Sequence, residues 1–450
     1  MAKAKSKKIT IEDALVPVDE QPYEVPENWC WTTLDHVCFF ENGYAFKSDK
    51  FSDNGIPVIR ISNIFDNEVS IEGCVYTTEE NIDDKFIIKN GDLLIAMSGA
   101  TTGKNGVFLS YQKAYLNQRV GNIKVINHNV LLEGFRNNYI ASKQEEILRN
   151  AYGGAQPNIS STKIGKMLFP LPPLPEQQRI VEQIESLFSK LDEAKEKAQE
   201  AIDGFDDRRI MILRNAFEGL LTENWRKENG KSISEWERKR LSDCASAIGD
   251  GLHGTPVYSE SGEYYFINGN NLEYDHIEYK SDTKTVNKAE YDKYYIELDD
   301  TTVFVSINGT LGKTAFYNNE PVILGKSACY VNTVETLDKY YLRYFFNTKE
   351  FIDYANEKAT GSTIKNLGLK AIRMLEINVP SLDEQKEIVR LLDDLLVKER
   401  EAREATEVVI ANIELMKKSV LAKAFRGELG TNDPSEESSI ELLKQIIVNE

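Results

Sequence analysis

A chain of 450 residues carrying a net charge of −18 is long enough for two or three domains, and too acidic to coat nucleic acid by general attraction to phosphates. No apolar run approaches the about 18 residues of a membrane span, and the lysine-rich N-terminus lacks a signal-peptide core, so a soluble cytoplasmic protein is expected. Cys30, Cys38, Cys74, Cys244 and Cys329 are odd in number without CxxC spacing, and His36, His128, His253 and His276 are not spaced as ligands. A disulfide scaffold and a zinc site are both disfavoured, and no cofactor is expected.

In chain order, residues 1–25 read as an N-terminal extension, poorly ordered at its start. A globular block follows at 26–170. Its apolar runs at 57–61, 86–88, 92–97 and 121–126 are short, β-branched and bounded by Gly and Asn, as strands are, and residues 131–149 read as one or two helices. Residues 171–222 form a long helix in which Ile180, Ile184, Leu187, Leu191, Ala194, Ala198, Ala201 and Phe205 alternate steps of four and three. A polar linker at 223–233 leads to a second block at 234–378 that repeats the plan of the first. Asp300-Thr-Thr-Val-Phe-Val-Ser echoes Asp92-Leu-Leu-Ile-Ala-Met-Ser, and Leu324-Gly-Lys lies 208 residues after Leu116-Asn-Gln. A second long helix spans 379–430, and the tail at 431–450 holds a short amphipathic helix.

The two helical stretches align without a gap. Residues 172–222 and 380–430 share 17 identities in 51 positions at an offset of 208, which marks an internal duplication. In the second copy Ile388, Leu392, Leu395, Ala402, Val409, Ile413, Met416 and Val420 continue the heptad register, with Glu399 and Thr406 as polar interruptions. Such a seam needs a partner helix, and the other copy supplies one. Ser381 and Glu384 have capping-box spacing, and Gly219 and Gly427 fall where a left-handed C-terminal residue is wanted.

Catalytic motifs fail on inspection. Gly309-Thr-Leu-Gly312-Lys313-Thr314 resembles a phosphate loop, but Ile307 occupies the position of the required first glycine. Neither a cofactor loop nor an amino-methyltransferase signature is present. What remains suits DNA reading. Lys104 and Lys313 follow Gly-rich turns at corresponding places, where a cation can reach a phosphate. Asn63, Gln118 and Arg119 in the first block, and Asn268, Asn270, Asn271 and Lys326 in the second, have side chains that pair with base edges.

The succession of block, Pro-x-Leu-x-Glu-Gln-x-x-Ile-Val helix, block and helix resembles the specificity subunit of a Type I restriction–modification system. Pro26-Glu27-Asn28-Trp29, the helix ends Ala216–Gly219 and Ala424–Gly427, and Gly361-Ser362-Thr363-Ile364 carry the same resemblance, although the first block has Gly154-Ala-Gln156-Pro-Asn158 at the last of these. The resemblance implies an α/β (α+β) fold: two mixed target-recognition domains joined by two long helices packed as an antiparallel coiled coil with pseudo-twofold symmetry. It adds Gln156, Asn158, Ser362 and Thr363 to the DNA-facing residues. It also implies a non-catalytic subunit that binds a bipartite double-stranded site, two modification (methyltransferase) subunits and restriction (translocase/nuclease) subunits, with Phe217 and Phe425 either as partner-binding residues or as staples that hold the helix ends to the blocks. The rival readings are a coiled-coil adaptor without a DNA role and a stand-alone DNA-modifying enzyme.

Overall fold

The heptad segments form helices Leu174–Phe217 and Leu382–Ala424. The chain, seen in a computed structural model that describes residues 10–65, 67–78, 82–152, 156–361 and 364–447, divides into two compact units. One is Met1–Lys197 with Val409–Glu450, the other Ala198–Val408, so each unit holds one block and part of both helices.

Within each unit the two helices run side by side in opposite directions. In the first, Asp192 pairs with Lys417 and Lys195 with Glu414 at 2.6 Å. In the second, Asp206 meets Arg403 at 3.4 Å and Arg208 meets Glu399 at 3.0 Å. Partner numbers rise on one helix as they fall on the other, the signature of an antiparallel pair. Ile180, Ile184, Ile388, Leu392 and Ile413 are buried as the heptad reading requires. Val409 and Met416 are not, being 48% and 53% exposed. Beyond Thr406, Ile413 and Val420 stay inward while the alternate positions move by one residue, to Ile410 and Lys417, as a 3.6-residue helix drifts against a 3.5-residue repeat. Lys417 fills its place by laying its stem toward the Phe188 ring, 5.2 Å from ammonium to centroid, with its charge on Asp192.

The first block folds into two five-stranded sheets. One runs Cys38–Asn42, Val120–Val125, Leu93–Ala96, Asn105–Val107, Asn67–Glu68, and the other Phe51–Ser52, Val75–Thr77, Ile56–Ile59, Ala114–Leu116, Ile87–Ile88. Leu93–Ala96 is buried at every position, which explains its unbroken apolar run. Helices Glu133–Ser142 and Gln144–Ala151 cover the core. The second block repeats this with sheets Ala245–Asp250, Ala328–Thr333, Thr302–Ser306, Thr314–Phe316 and Lys284–Val286, Tyr264–Ile267, Val322–Leu324. A two-stranded ribbon closes each block, Cys30–Thr33 with Leu168–Leu171 and Glu237–Arg240 with Glu376–Val379.

Strand pairing corrects one register. Ala96 lies opposite Val120, and Ser306 opposite Ala328. Ala96 therefore corresponds to Ser306, an offset of 210, whereas Leu116 and Leu324 accept from Tyr44 N and Leu252 N and keep the offset of 208. The echo of Asp92 is thus Thr302 rather than Asp300: Asp92 accepts from Lys89 N and Thr302 from Asp299 N.

The Glu-Gln pair that opens each helix bolts it to its own block. Gln177 donates to Val130 O and Pro172 O and accepts from Leu132 N, and Gln385 makes the same three bonds with Thr336 O, Pro380 O and Asp338 N. Glu176 accepts from the Trp29 indole at 2.7 Å and from Asn432, and Glu384 from Trp236 at 3.0 Å. Glu384 also holds Thr222 and Arg226, so its oxygens face these groups instead of forming the expected capping box with Ser381. Arg226 belongs to the stretch read as a linker, which holds the helix Glu223–Glu228 and buries this residue. The described part of the N-terminal extension is likewise packed: Thr32 donates to Ala14 O, and Tyr23 to Phe425 O.

Phe217 and Phe425 do not offer a partner surface. They are 4% and 3% exposed. Phe425 stands edge-on to Phe135 and Tyr139, and Phe217 packs on Tyr341 and Phe345 in the equivalent arrangement. Each pins a helix end to the other block, the second helix to the first block and the first helix to the second, just before Gly219 and Gly427, whose φ values of +78° and +72° end the helices in the left-handed region. The tail helix Ser439–Ile447 packs into the first core through Leu443 and Ile446.

Candidate nucleic-acid interface

Three backbone segments meet at one edge of the first block. The turn after Leu93–Ala96, the turn after Ala114–Leu116 and the segment leading into the helix Ser161–Gly165 are joined by Met97 N to Arg119 O, Ile159 N to Met97 O and Gly99 N to Pro157 O, each 2.9 Å. With main-chain groups satisfied by one another, the side chains of Gln118, Arg119, Gln156 and Asn158 are exposed. They surround a cleft of about 670 Å³ whose wall also includes Asn42, Ser98 and Ser161. Four residues separated in sequence are thus gathered into one polar patch with a guanidinium at its rim. Carboxamides can pair bidentately with adenine and a guanidinium with guanine.

The second block bolts the same three segments together. Ile307 N donates to Ser327 O, Leu367 N to Ile307 O and Gly309 N to Lys365 O. Lys326 and Asn366 are exposed there, and Asn308 lies beside Asn366, 3.4 Å apart through their side chains. Asn308 and Asn366 occupy the positions of Ser98 and Asn158 and went unnoticed in the sequence. The signal was available, because Asn366 lies 208 residues after Asn158, the offset of the helices. Ser362 and Thr363 lie outside the described residues.

Asn63 and Asn271 are corrected. They are 2% and 6% exposed. Asn63 accepts from Arg60 N and donates to Glu72 O, and Asn271 accepts from Asn268 N and donates to Glu278 O. Each closes a short turn from within, so their recurrence records a shared fold element, with no polar atoms left for a base. Asn268 is half-buried and accepts from the Ser327 hydroxyl, while Asn270 is exposed on the same turn. Lys104 is half-buried and does not line the cleft. Lys313 pairs with Glu273 at 2.6 Å, and that hydrogen bond holds the Glu273 carboxyl below the usual range.

Among the described residues no cluster of three His, Cys, Asp or Glu side chains is placed to hold a metal, and no helix is long and apolar enough to cross a membrane. All five thiols are buried and pushed upward by that burial, Cys30 to about 11 and Cys38 to about 12, which leaves them poor nucleophiles at neutral pH.

The duplicated plan agrees with the comparisons. The family described as the Type I restriction modification DNA specificity domain matches residues 26–202 and again 233–407. The chain belongs to this family. Among its relatives is the Type I restriction enzyme EcoBI specificity subunit of Escherichia coli, 23% identical over 433 residues, covering 90% of this chain and 87% of that one. A solved structure of the HsdS subunit from Thermoanaerobacter tengcongensis superposes with a TM-score of 0.61 at 18% identity, covering 92% of this chain and all of that one. Another, titled for the complex assembly and conformational transition of the type I R-M system, gives 0.67 at 19% identity and covers 91% of this chain and all of its own. These structures share the fold. Family membership makes this chain a DNA-specificity subunit, the recognition component of such a system rather than its catalyst. The two matched stretches each take in one block and part of a long helix, the same division that the buried Glu-Gln bolts enforce.

Proposed function

We propose that each block reads one half of a bipartite duplex site through its polar edge cleft, and that the two long helices set the gap between the halves. The observation that carries this reading is the doubled cleft. The same three segments are joined by equivalent backbone bonds in both blocks, while the side chains they present differ: Gln118, Arg119 and Asn158 in one, Lys326, Asn308 and Asn366 in the other. A shared scaffold with different polar groups is what two readers of different sequences require. The exposed Val409, Leu415 and Met416 form an apolar patch on the second helix that its neighbour leaves uncovered, which suits docking of the modification subunits, with restriction subunits joining the assembled complex. The setting is the cytoplasm, where the DNA is. The chain's net charge of −18 assigns part of the DNA affinity to those partners.

The test uses the chain assembled with its modification subunit. Arg119→Ala and Asn158→Ala are expected to relax one half-site, each bidentate contact contributing about 1–3 kcal/mol of discrimination. Asn366→Ala and Lys326→Ala should act on the other half alone. Binding measured against oligonucleotides mutated in one half at a time separates the two. Equal loss on both halves from Asn158→Ala would contradict the reading.

A further inference from the structure

The second unit contains a cleft of about 620 Å³ between its block and its two helix segments, away from the reading edge. Its walls combine aromatic faces with guanidinium groups: Tyr274, Phe316 and Tyr340 on one side, Arg209, Arg343 and Arg400 around them. Arg343 is 4% exposed and its Nε has no hydrogen-bond partner; it forms a long ion pair with Asp393 at 3.7 Å and lies 4.0, 4.6 and 5.7 Å from the ring centroids of Tyr344, Tyr274 and Phe316. The unsatisfied donor on this buried guanidinium leaves a place for an anionic acceptor. The acids of the cleft are already engaged. Asp206 faces Arg403, Glu399 faces Arg208, Asp275 lies 2.9 Å from a ring nitrogen of His276, and Asp393 accepts from the Tyr344 hydroxyl. Four acids and four arginines line the cleft; of the arginines, Arg209 and Arg400 are exposed and in no ion pair among the described residues, which leaves their guanidinium groups available to a ligand.

Tyr274 is set for a planar ligand. It holds a φ of +61°, a region uncommon for a bulky side chain, and Thr314 Oγ1 fixes the turn by donating to its carbonyl at 2.8 Å. Arg343 and Arg209 lie 4.6 and 5.8 Å from its ring centroid, and the ring remains 39% exposed. The cleft is not part of the duplicated scaffold. Gln385 accepts from Asp338 N as Gln177 does from Leu132 N, so the counterpart of Arg343 in the first unit is Asn137.

We infer that this cleft binds a free nucleoside phosphate, its base stacked on Tyr274 and Tyr340 and its phosphates held by Arg209, Arg343 and Arg400. The experiment is calorimetric titration of the full chain with ADP, with pyrophosphate and with a short single-stranded oligonucleotide. One ADP per chain is expected, bound tighter than pyrophosphate. The double variant Arg209→Ala, Arg400→Ala alters two exposed side chains and should weaken ADP at least about tenfold with an unchanged thermal melt. Tyr274→Gly, which suits the backbone angle, should bring ADP down to the affinity of pyrophosphate. Absence of ADP binding at millimolar concentration, ADP binding unchanged in the arginine variant, pyrophosphate bound as tightly as ADP, or binding of the oligonucleotide alone would each overturn the inference.

Discussion

Glu384→Ala destabilises the second unit by about 3–5 kcal/mol, because it strands a buried cation. Arg226 is 7% exposed and sits 2.6 Å from Glu384, which also holds the Thr222 hydroxyl and the Trp236 indole. Removing the carboxylate leaves a guanidinium in a site closed to water, with Gly219 O and the Thr222 hydroxyl as its remaining acceptors. The equivalent Glu176→Ala in the first unit strands only neutral donors, Trp29, Thr431 and Asn432, and is expected to cost about 1–3 kcal/mol. Hydrogen exchange in the ribbon strands Glu237–Arg240 and Cys30–Thr33 reports on the two units separately. Equal losses in the two variants would mean that the buried charge does not distinguish the bolts.

Lengthening both helices by one heptad widens the gap between half-sites. The ion pairs fix where to cut: inserting seven residues between Glu200 and Ala201 and between Val408 and Val409 places the additions opposite one another, and keeps Asp192–Lys417 with Lys195–Glu414 on one side and Asp206–Arg403 with Arg208–Glu399 on the other. Seven residues at about 1.5 Å each add roughly 10 Å, or about three base pairs at roughly 3.4 Å per pair. The blocks also turn about the duplex by roughly 100°, so a change of only one or two pairs with weaker binding is within expectation. The gap is read by sequencing the methylated sites. An unchanged gap in an active, assembled complex would separate spacing from helix length.

Much of this architecture was legible in the chain, because repetition and period survive divergence. The Glu-Gln helices, the strand at 92–97 and the closing glycines each depend on a local rule, whether 3.5-residue spacing, unbroken apolar burial or left-handed φ, and each stands where its rule puts it. Side-chain direction was not legible. Asn63 and Asn271 have the chemistry of base readers, yet both turn inward to close a turn, and no sequence period marks that choice. Phe217 and Phe425 suit either docking of a partner or stapling of the helix ends to the blocks, and only their burial in the two cores decides for the second. Val409 and Met416 left the seam because helix drift brought Ile410 and Lys417 into it. The types of Gln118, Arg119, Gln156 and Asn158 are legible in the sequence, but their convergence on the polar edge cleft depends on backbone bonds between segments far apart in sequence. The cleft around Arg343 left no trace in the sequence, since its residues come from both helices and from the second block.

The most direct measurement is a block exchange. Residues 26–170 are replaced by the first block of another specificity subunit that keeps aromatic residues where Phe135 and Tyr139 meet Phe425. The chain is then expressed with its modification subunit, and the methylated sites of the host genome are sequenced. One half of the recognised sequence should change to that of the donor, while the other half and the gap stay as they were. A change in both halves would contradict independent reading by the two blocks.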